Sequence, residues 1–269
     1  MGRPGFKPGG LRHARPEGST PSPFRHFRST VLEADYFDLQ LQVAQRYAVA
    51  AQVPFDAAVA ACTNLRRRLN LHGPAGDARW RALLARLAPT DGDRPAALAL
   101  CLDAFAARPA SPQPPGTFGC FSCDLPDAAS GTLRLHFMPP QAIARSPLAR
   151  DSMAERHQEL RALFRYVRQS GAPVRSVMGV SWLYHLDAYR RLFPPAYGAS
   201  AAAPGFALHL TGSSTWGQVL GWRQTVKPDV RDAVLARLPG LEPAAPWKVF
   251  PLQALAAHCP VAPFHDWFA

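Results

Sequence analysis

Lysine is almost missing from this chain. Of 30 basic residues only Lys7, Lys227 and Lys248 are lysine, so guanidinium groups carry nearly all the positive charge. Arginine is the better partner for planar carboxylates and phosphates, but its abundance beside so much alanine also fits a GC-rich coding sequence, which weakens it as a sign of nucleic-acid binding. Long apolar runs are missing too. The most hydrophobic stretch, 96–107, is interrupted by Asp103 and falls short of the ~20 residues that span a bilayer. Arg3, Lys7, Arg12 and Arg15 are followed by prolines and glycines, not by the apolar core of a secretory signal. Five scattered cysteines, at 62, 101, 120, 123 and 259, do not make a disulfide framework. Together these absences predict a protein with no membrane span, working in a reducing cytoplasm.

Several enzyme signatures are also absent. The chain has no Gly-x-Ser-x-Gly elbow, no His-Glu-x-x-His pair and no kinase signature. The CxxC pair Cys120-Phe-Ser-Cys123 lacks neighbours for the roughly four ligands of a zinc site: His136, His258 and Cys259 are the nearest candidates. No metal site is expected. Histidines 136, 157, 185, 209, 258 and 265 are candidates for acid–base work with nothing in the sequence to rank them.

What is present is enough apolar material, 48% of 269 residues, to bury a sizeable core. The formal charge is +11, but residues 1–28 hold six basic residues against Glu17 and so contribute +5. That Pro-, Gly- and Ser-rich stretch is expected to be a disordered basic tail. Thr30 and Glu33 have capping-box spacing and predict a helix over 32–51. Further helices are expected from Pro54 to about His72, around Trp80 to Leu87, and around Leu98 to Phe105. Residues 29–108 therefore read as an all-helical unit, 109–116 as a Pro-rich linker and 117–269 as a mixed-sheet domain, an α+β architecture. Its strands are expected at 117–123, 132–138, 176–183, 206–211 and 247–252. Its helices are expected from the Ser152/Glu155 capping pair to Gly171, over 187–193 and over 228–238.

The densest chemistry lies between Arg175 and Tyr197, where a short apolar strand runs into Trp182-Leu-Tyr-His-Leu-Asp-Ala-Tyr-Arg-Arg-Leu-Phe-Pro-Pro-Ala-Tyr197. Strand carboxyl ends are where ligands commonly sit in α/β sheets. Tyr184 and Tyr189 are placed there as candidate proton donors, with His185, Arg190 and Arg191 as substrate contacts. Trp182, Leu192 and Phe193 are expected to be core. The turn Thr211-Gly-Ser-Ser-Thr-Trp-Gly217 adds Ser213, Ser214 and Trp216 as candidate binding residues. Arg66-Arg67-Arg68, spread around nearly a full helical turn, is the other basic feature.

The segment from Thr132 to Thr211 resembles the central part of GNAT-type N-acyltransferases: a strand, a long helix, another strand and a short tyrosine-bearing helix. The matching pieces are 132–138, 152–169, 176–183 and Asp187-Ala-Tyr189-Arg-Arg-Leu-Phe193. The resemblance implies that Tyr189 acts as general acid for a departing thiolate and that acyl-CoA is the coenzyme. The glycine-bearing pyrophosphate loop of that family has no counterpart in 139–151, which leaves the coenzyme open. The Ser181-Trp-Leu-Tyr184 and Tyr189-Arg-Arg-Leu-Phe-Pro194 blocks are also similar to those of a bacterial protein family with no assigned activity. The function expected first is therefore a cytoplasmic acyltransferase-like enzyme acting on a small amine or amino-acid-like substrate. The alternative is a nonenzymatic nucleic-acid or protein-binding module using the basic tail and Arg66 to Arg68.

Overall fold

The computed structural model describes residues 23–91, 93–110, 115–126, 129–140 and 144–269, with side chains from Glu33 onward. The tail at 1–22 and the side chain of Thr30 lie outside the described residues. Helix α1 runs Pro23–Ala51, beginning ahead of the expected start at Leu32. Neither glycine nor proline occurs in 24–51, so no residue of that stretch is a helix breaker.

The expected second helix is split. Helix α2, Phe55–Cys62, ends where Thr63 becomes extended, and α3, Leu65–Arg68, resumes after Asn64. The break is held by polar side chains that compete with the helical backbone. Thr63 Oγ1 donates to Val59 O at 2.7 Å, Gln40 Oε1 accepts from Asn64 N at 2.8 Å, and Tyr36 Oη donates to Asn64 Oδ1 at 3.1 Å. Helices α4, Gly73–Leu87, and α5, Arg94–Ala106, complete the helical part. Asp93 caps α5 by accepting from Ala96 N.

The sheet is mixed and five-stranded, in the order β1 (Thr117–Phe118), β2 (Phe121–Asp124), β3 (Thr132–Phe137), β4 (Ser176–Ser181), β5 (Leu255–Pro260). The α+β class with an N-terminal helical part is thus the observed one. The first expected strand is bent into two by a tight turn whose Gly119 has φ +55°, the left-handed region that favours glycine. Helix α6, Met153–Gln169, carries the chain from β3 to β4, which are parallel; the remaining pairs are antiparallel. Ser152 does not cap α6. Its hydroxyl donates to Ser146 O, and Glu155 pairs with Arg145 and Arg156 instead.

Two expected strands are not formed. Residues 206–211 form bends, and 247–252 begin as the 3-10 turn Pro246–Val249. The sheet instead takes β5 as its last member, a segment whose His258 and Pro260 disguise a strand pattern. Pro260 is tolerated there because it sits at the strand's end.

Two apolar cores result. One joins α1, α2, α4 and α5 to residues from Leu210 to Phe250, including α9 (Ser213–Trp216) and α10 (Pro228–Arg237). The other lies between the sheet, α6 and α11 (Ala262–Trp267), with Phe164 stacked on Phe264 at 4.8 Å and on Phe268 at 5.4 Å.

Candidate functional site

The geometry at the end of β4 follows from three local signals. Ser181 Oγ accepts from Leu183 N at 3.1 Å and starts the 3-10 turn Trp182–His185, so the strand ends two residues earlier than expected. That turn sends Tyr184 inward and His185 outward, where His185 Nε2 meets Gln253 O at 2.8 Å. Helix α7 is only Asp187–Arg190, because Pro194 and Pro195 stop it and Pro195 opens α8, Pro195–Ala199. Tyr189 and Tyr197 both point inward from these short helices.

The three tyrosines meet. Tyr184 Oη lies 2.6 Å from Tyr197 Oη, and Tyr189 hydrogen-bonds Tyr184. Ring centroids of Tyr184 and Tyr189 are 5.3 Å apart, and Tyr189 is edge-on to Phe137 of β3 at 5.3 Å. Burial pushes all three phenols well above their ordinary range, with mutual repulsion adding to it, so they remain protonated. Tyr184 and Tyr197 close against Gly179 of β4. A side chain there would fall on Tyr184 Oη and within 2.7 Å of Tyr197 Oη.

Gly179 is also where β3 and β4 part. Their parallel ladder joins 132–134 to 176–178 and stops, although each strand continues for three residues. The strands thus stop pairing toward their carboxyl ends, a fork beside which the Tyr184 and Tyr197 hydroxyls lie. Leu133 and Leu135 are buried toward the tyrosines, whereas His136 lies on the opposite face of β3, half-exposed. His136 Nε2 is 2.8 Å from Asp124 Oδ2 across the β2–β3 pair. Sequence reasoning named His136 without ranking it. The signal that singles it out is the register, which sets Ser122 opposite His136 and Asp124 two pairs further along, on the same face.

Other expected site residues lie elsewhere. Arg190 is exposed and pairs with Asp187, and Arg191 is exposed with its backbone hydrogen-bonded to the His157 ring. Ser213 is exposed at the start of α9, Ser214 half-buried. Trp216 is fully buried in the helical core, donating Nε1–H to Cys62 O at 3.2 Å and packing edge-on against Phe250 at 4.7 Å. The three arginines of α3 are each engaged. Arg66 pairs with Asp77, Arg67 reaches Met138, and Arg68 makes a two-pronged pair with buried Glu33 at 2.5 and 3.0 Å. Cys120 and Cys123 are buried free thiols pushed up to about 12 and about 11, mainly by burial. No group of three or more potential metal ligands occurs among the described residues.

Three histidines set a pH dependence. His72, His157 and His265 are each held below the ordinary histidine range, first by burial and then by neighbouring arginines. The unfolded chain therefore binds more protons as pH drops below ~6.5, and stability, complete above that value, declines through the interval. Glu159, raised by burial, works in the opposite sense but is one group against three. The urea midpoint is expected to be lower at pH 5.5 than at pH 7.5; an equal or higher midpoint would remove the effect.

Comparison with family models, with curated proteins and with solved structures gave no match in any of the three. No described helix is long and apolar enough to cross a membrane.

Proposed function

We propose that the chain is an acyltransferase-like enzyme that acylates a small amine at the fork between β3 and β4, in the cytoplasm, where five free thiols would stay reduced. The observation that carries this is the set of tyrosine hydroxyls gathered over Gly179, the first β4 residue beyond the parallel ladder. A forked pair of parallel strands offers backbone amides and carbonyls to an extended, amide-bearing chain in the manner of an added strand. A thioester entering there would meet the tyrosines first.

In the reaction, the amine nitrogen attacks the thioester carbonyl, the C–N bond forms and the C–S bond breaks. His136, oriented by Asp124, accepts the amine proton, and a tyrosine hydroxyl donates a hydrogen bond to the charge building on sulfur. Raised phenol values suit the tyrosines to donating hydrogen bonds without losing the proton. Tyr184 has the hydroxyl nearest Gly179, and Tyr189 supports it.

The start of α6 does not fit a diphosphate. Residues 139–151 contain no glycine, Glu155 lies in the first turn, and Arg156 is already paired with Glu155 and Glu159. The donor would be gripped by its thioester arm. Short N-acetylcysteamine thioesters and the matching acyl-CoAs are therefore expected to raise the melting temperature alike; a ligand at a hundred times its Kd adds about 2.7 kcal/mol. Thiol release with an amine acceptor should fall about 10²-fold or more in His136→Ala. Gly179→Ala should close the fork and cost about 1–3 kcal/mol of stability through overpacking. A panel in which no thioester stabilises the protein and none releases thiol would overturn the proposal.

A further inference from the structure

A concave site lies where α6 meets the end of α11. A cleft of about 250 Å³ is lined by His157, Arg161, Trp267 and Phe268. His157 and Arg161 are four residues apart on one helical face, and the end of α11 supplies the two aromatics. Phe268 is a fixed floor: it is buried, stacks on Phe164 and meets the His157 ring edge-on at 6.4 Å. Trp267 is 44% exposed, one of few large apolar side chains left open to water among the described residues.

The polar groups of the cleft are unspent. His157 Nε2 is buried and has no hydrogen-bond partner, while the Arg191 backbone contacts the ring. That contact favours the charged ring, so it is the Arg191 carbonyl that faces it. Nε2 is left with its hydrogen-bonding capacity unmet. Burying an acceptor without a partner costs free energy that a ligand N–H or O–H would recover. Arg161 is exposed and, among the described residues, has no carboxylate within ion-pair distance. Arg165 and Arg168, also exposed, continue the same helix without acids.

We infer that this cleft binds a small planar aromatic acid: its ring lies on Trp267 and Phe268, its carboxylate pairs with Arg161, and an N–H or O–H on the ring donates to His157 Nε2. The volume suits one or two fused rings, too small for a folded partner. The cleft is separate from the β3–β4 fork and does not depend on what happens there.

Isothermal titration of the full chain with indole-5-carboxylate, benzoate and inorganic phosphate tests this. Indole-5-carboxylate carries ring, anion and donor and should bind most tightly; benzoate, lacking the donor, and phosphate, lacking the ring, should each bind about tenfold more weakly or not at all. Arg161→Gln and Trp267→Ser alter exposed side chains and should fold normally, each weakening the indole acid about tenfold. His157→Leu should erase the advantage of the indole acid over benzoate while leaving benzoate binding in place. Equal binding of phosphate and the indole acid, affinity unchanged in Arg161→Gln and Trp267→Ser, or no heat with any probe would each overturn the inference. So would a short single-stranded RNA that binds more tightly than the indole acid and is lost in Arg165→Gln with Arg168→Gln, because the arginine row would then be the site.

Discussion

Replacing Trp216 by alanine is expected to cost about 3–5 kcal/mol, the range for deleting a large buried aromatic. Trp216 is fully buried, edge-on to Tyr36 at 6.0 Å and to Phe250 at 4.7 Å. Its loss removes contact area from two separate stretches of chain and leaves the Cys62 carbonyl without its indole donor. Part of the cost can be separated: Trp216→Phe keeps most of the ring but loses the N–H, and should cost about 1–3 kcal/mol. Urea denaturation of both variants against the parent checks the order, and a Trp216→Ala midpoint within error of the parent would show that the indole is not the anchor the packing implies.

The second large effect is expected at Arg68. Its guanidinium makes a two-pronged pair with Glu33, donates to Gln224 Oε1 at 3.0 Å and lies over the Tyr36 ring at 5.6 Å. Glu33 is 5% exposed. Arg68→Ala would leave that carboxylate buried and uncompensated, at a cost of about 3–5 kcal/mol. Arg66→Ala removes a pair that is nearly half open to water, and should cost about 1 kcal/mol or less. The double variant Glu33→Leu with Arg68→Met is expected to recover most of the loss, since apolar replacements of a buried pair are often neutral or stabilising. Thermal and urea unfolding of the four proteins give the comparison. A double variant as unstable as Arg68→Ala would mean that the contacts to Tyr36 and Gln224 matter more than charge compensation.

How much of this was visible in the residues alone depends on the range of the interactions involved. Apolar spacing of three or four located α2, α4, α5 and α6, and the alternation at Thr132 to Phe137 located β3, because those patterns are local. The direction of Tyr184 was not legible. It depends on one hydroxyl, that of Ser181, turning the chain into a 3-10 turn two residues before the apolar run ends. Trp216 looked like a ligand contact because its neighbours are serines and threonines; its partners are Tyr36 and Phe250, one 180 residues upstream in the chain and the other 34 downstream. The spread of Arg66 to Arg68 around a helical turn was legible, but their three different neighbours, Asp77, Met138 and Glu33, were not. The strand β5 escaped notice because its partner β4 lies more than 70 residues earlier and its own sequence contains a histidine, a cysteine and a proline.

The stretch from Leu210 to Phe250 leaves the sheet, completes the helical core, and is followed by β5, which returns to complete the sheet. The two cores are therefore interleaved along the chain and not strung one after the other. A cut anywhere in 109–116 would yield an upstream fragment without Trp216, Val234 or Phe250 to fill its interior, and a downstream fragment carrying those side chains with nothing to bury them. Such an arrangement couples the melting of the helices to that of the sheet, so that the polypeptide gains and loses its structure as one cooperative unit.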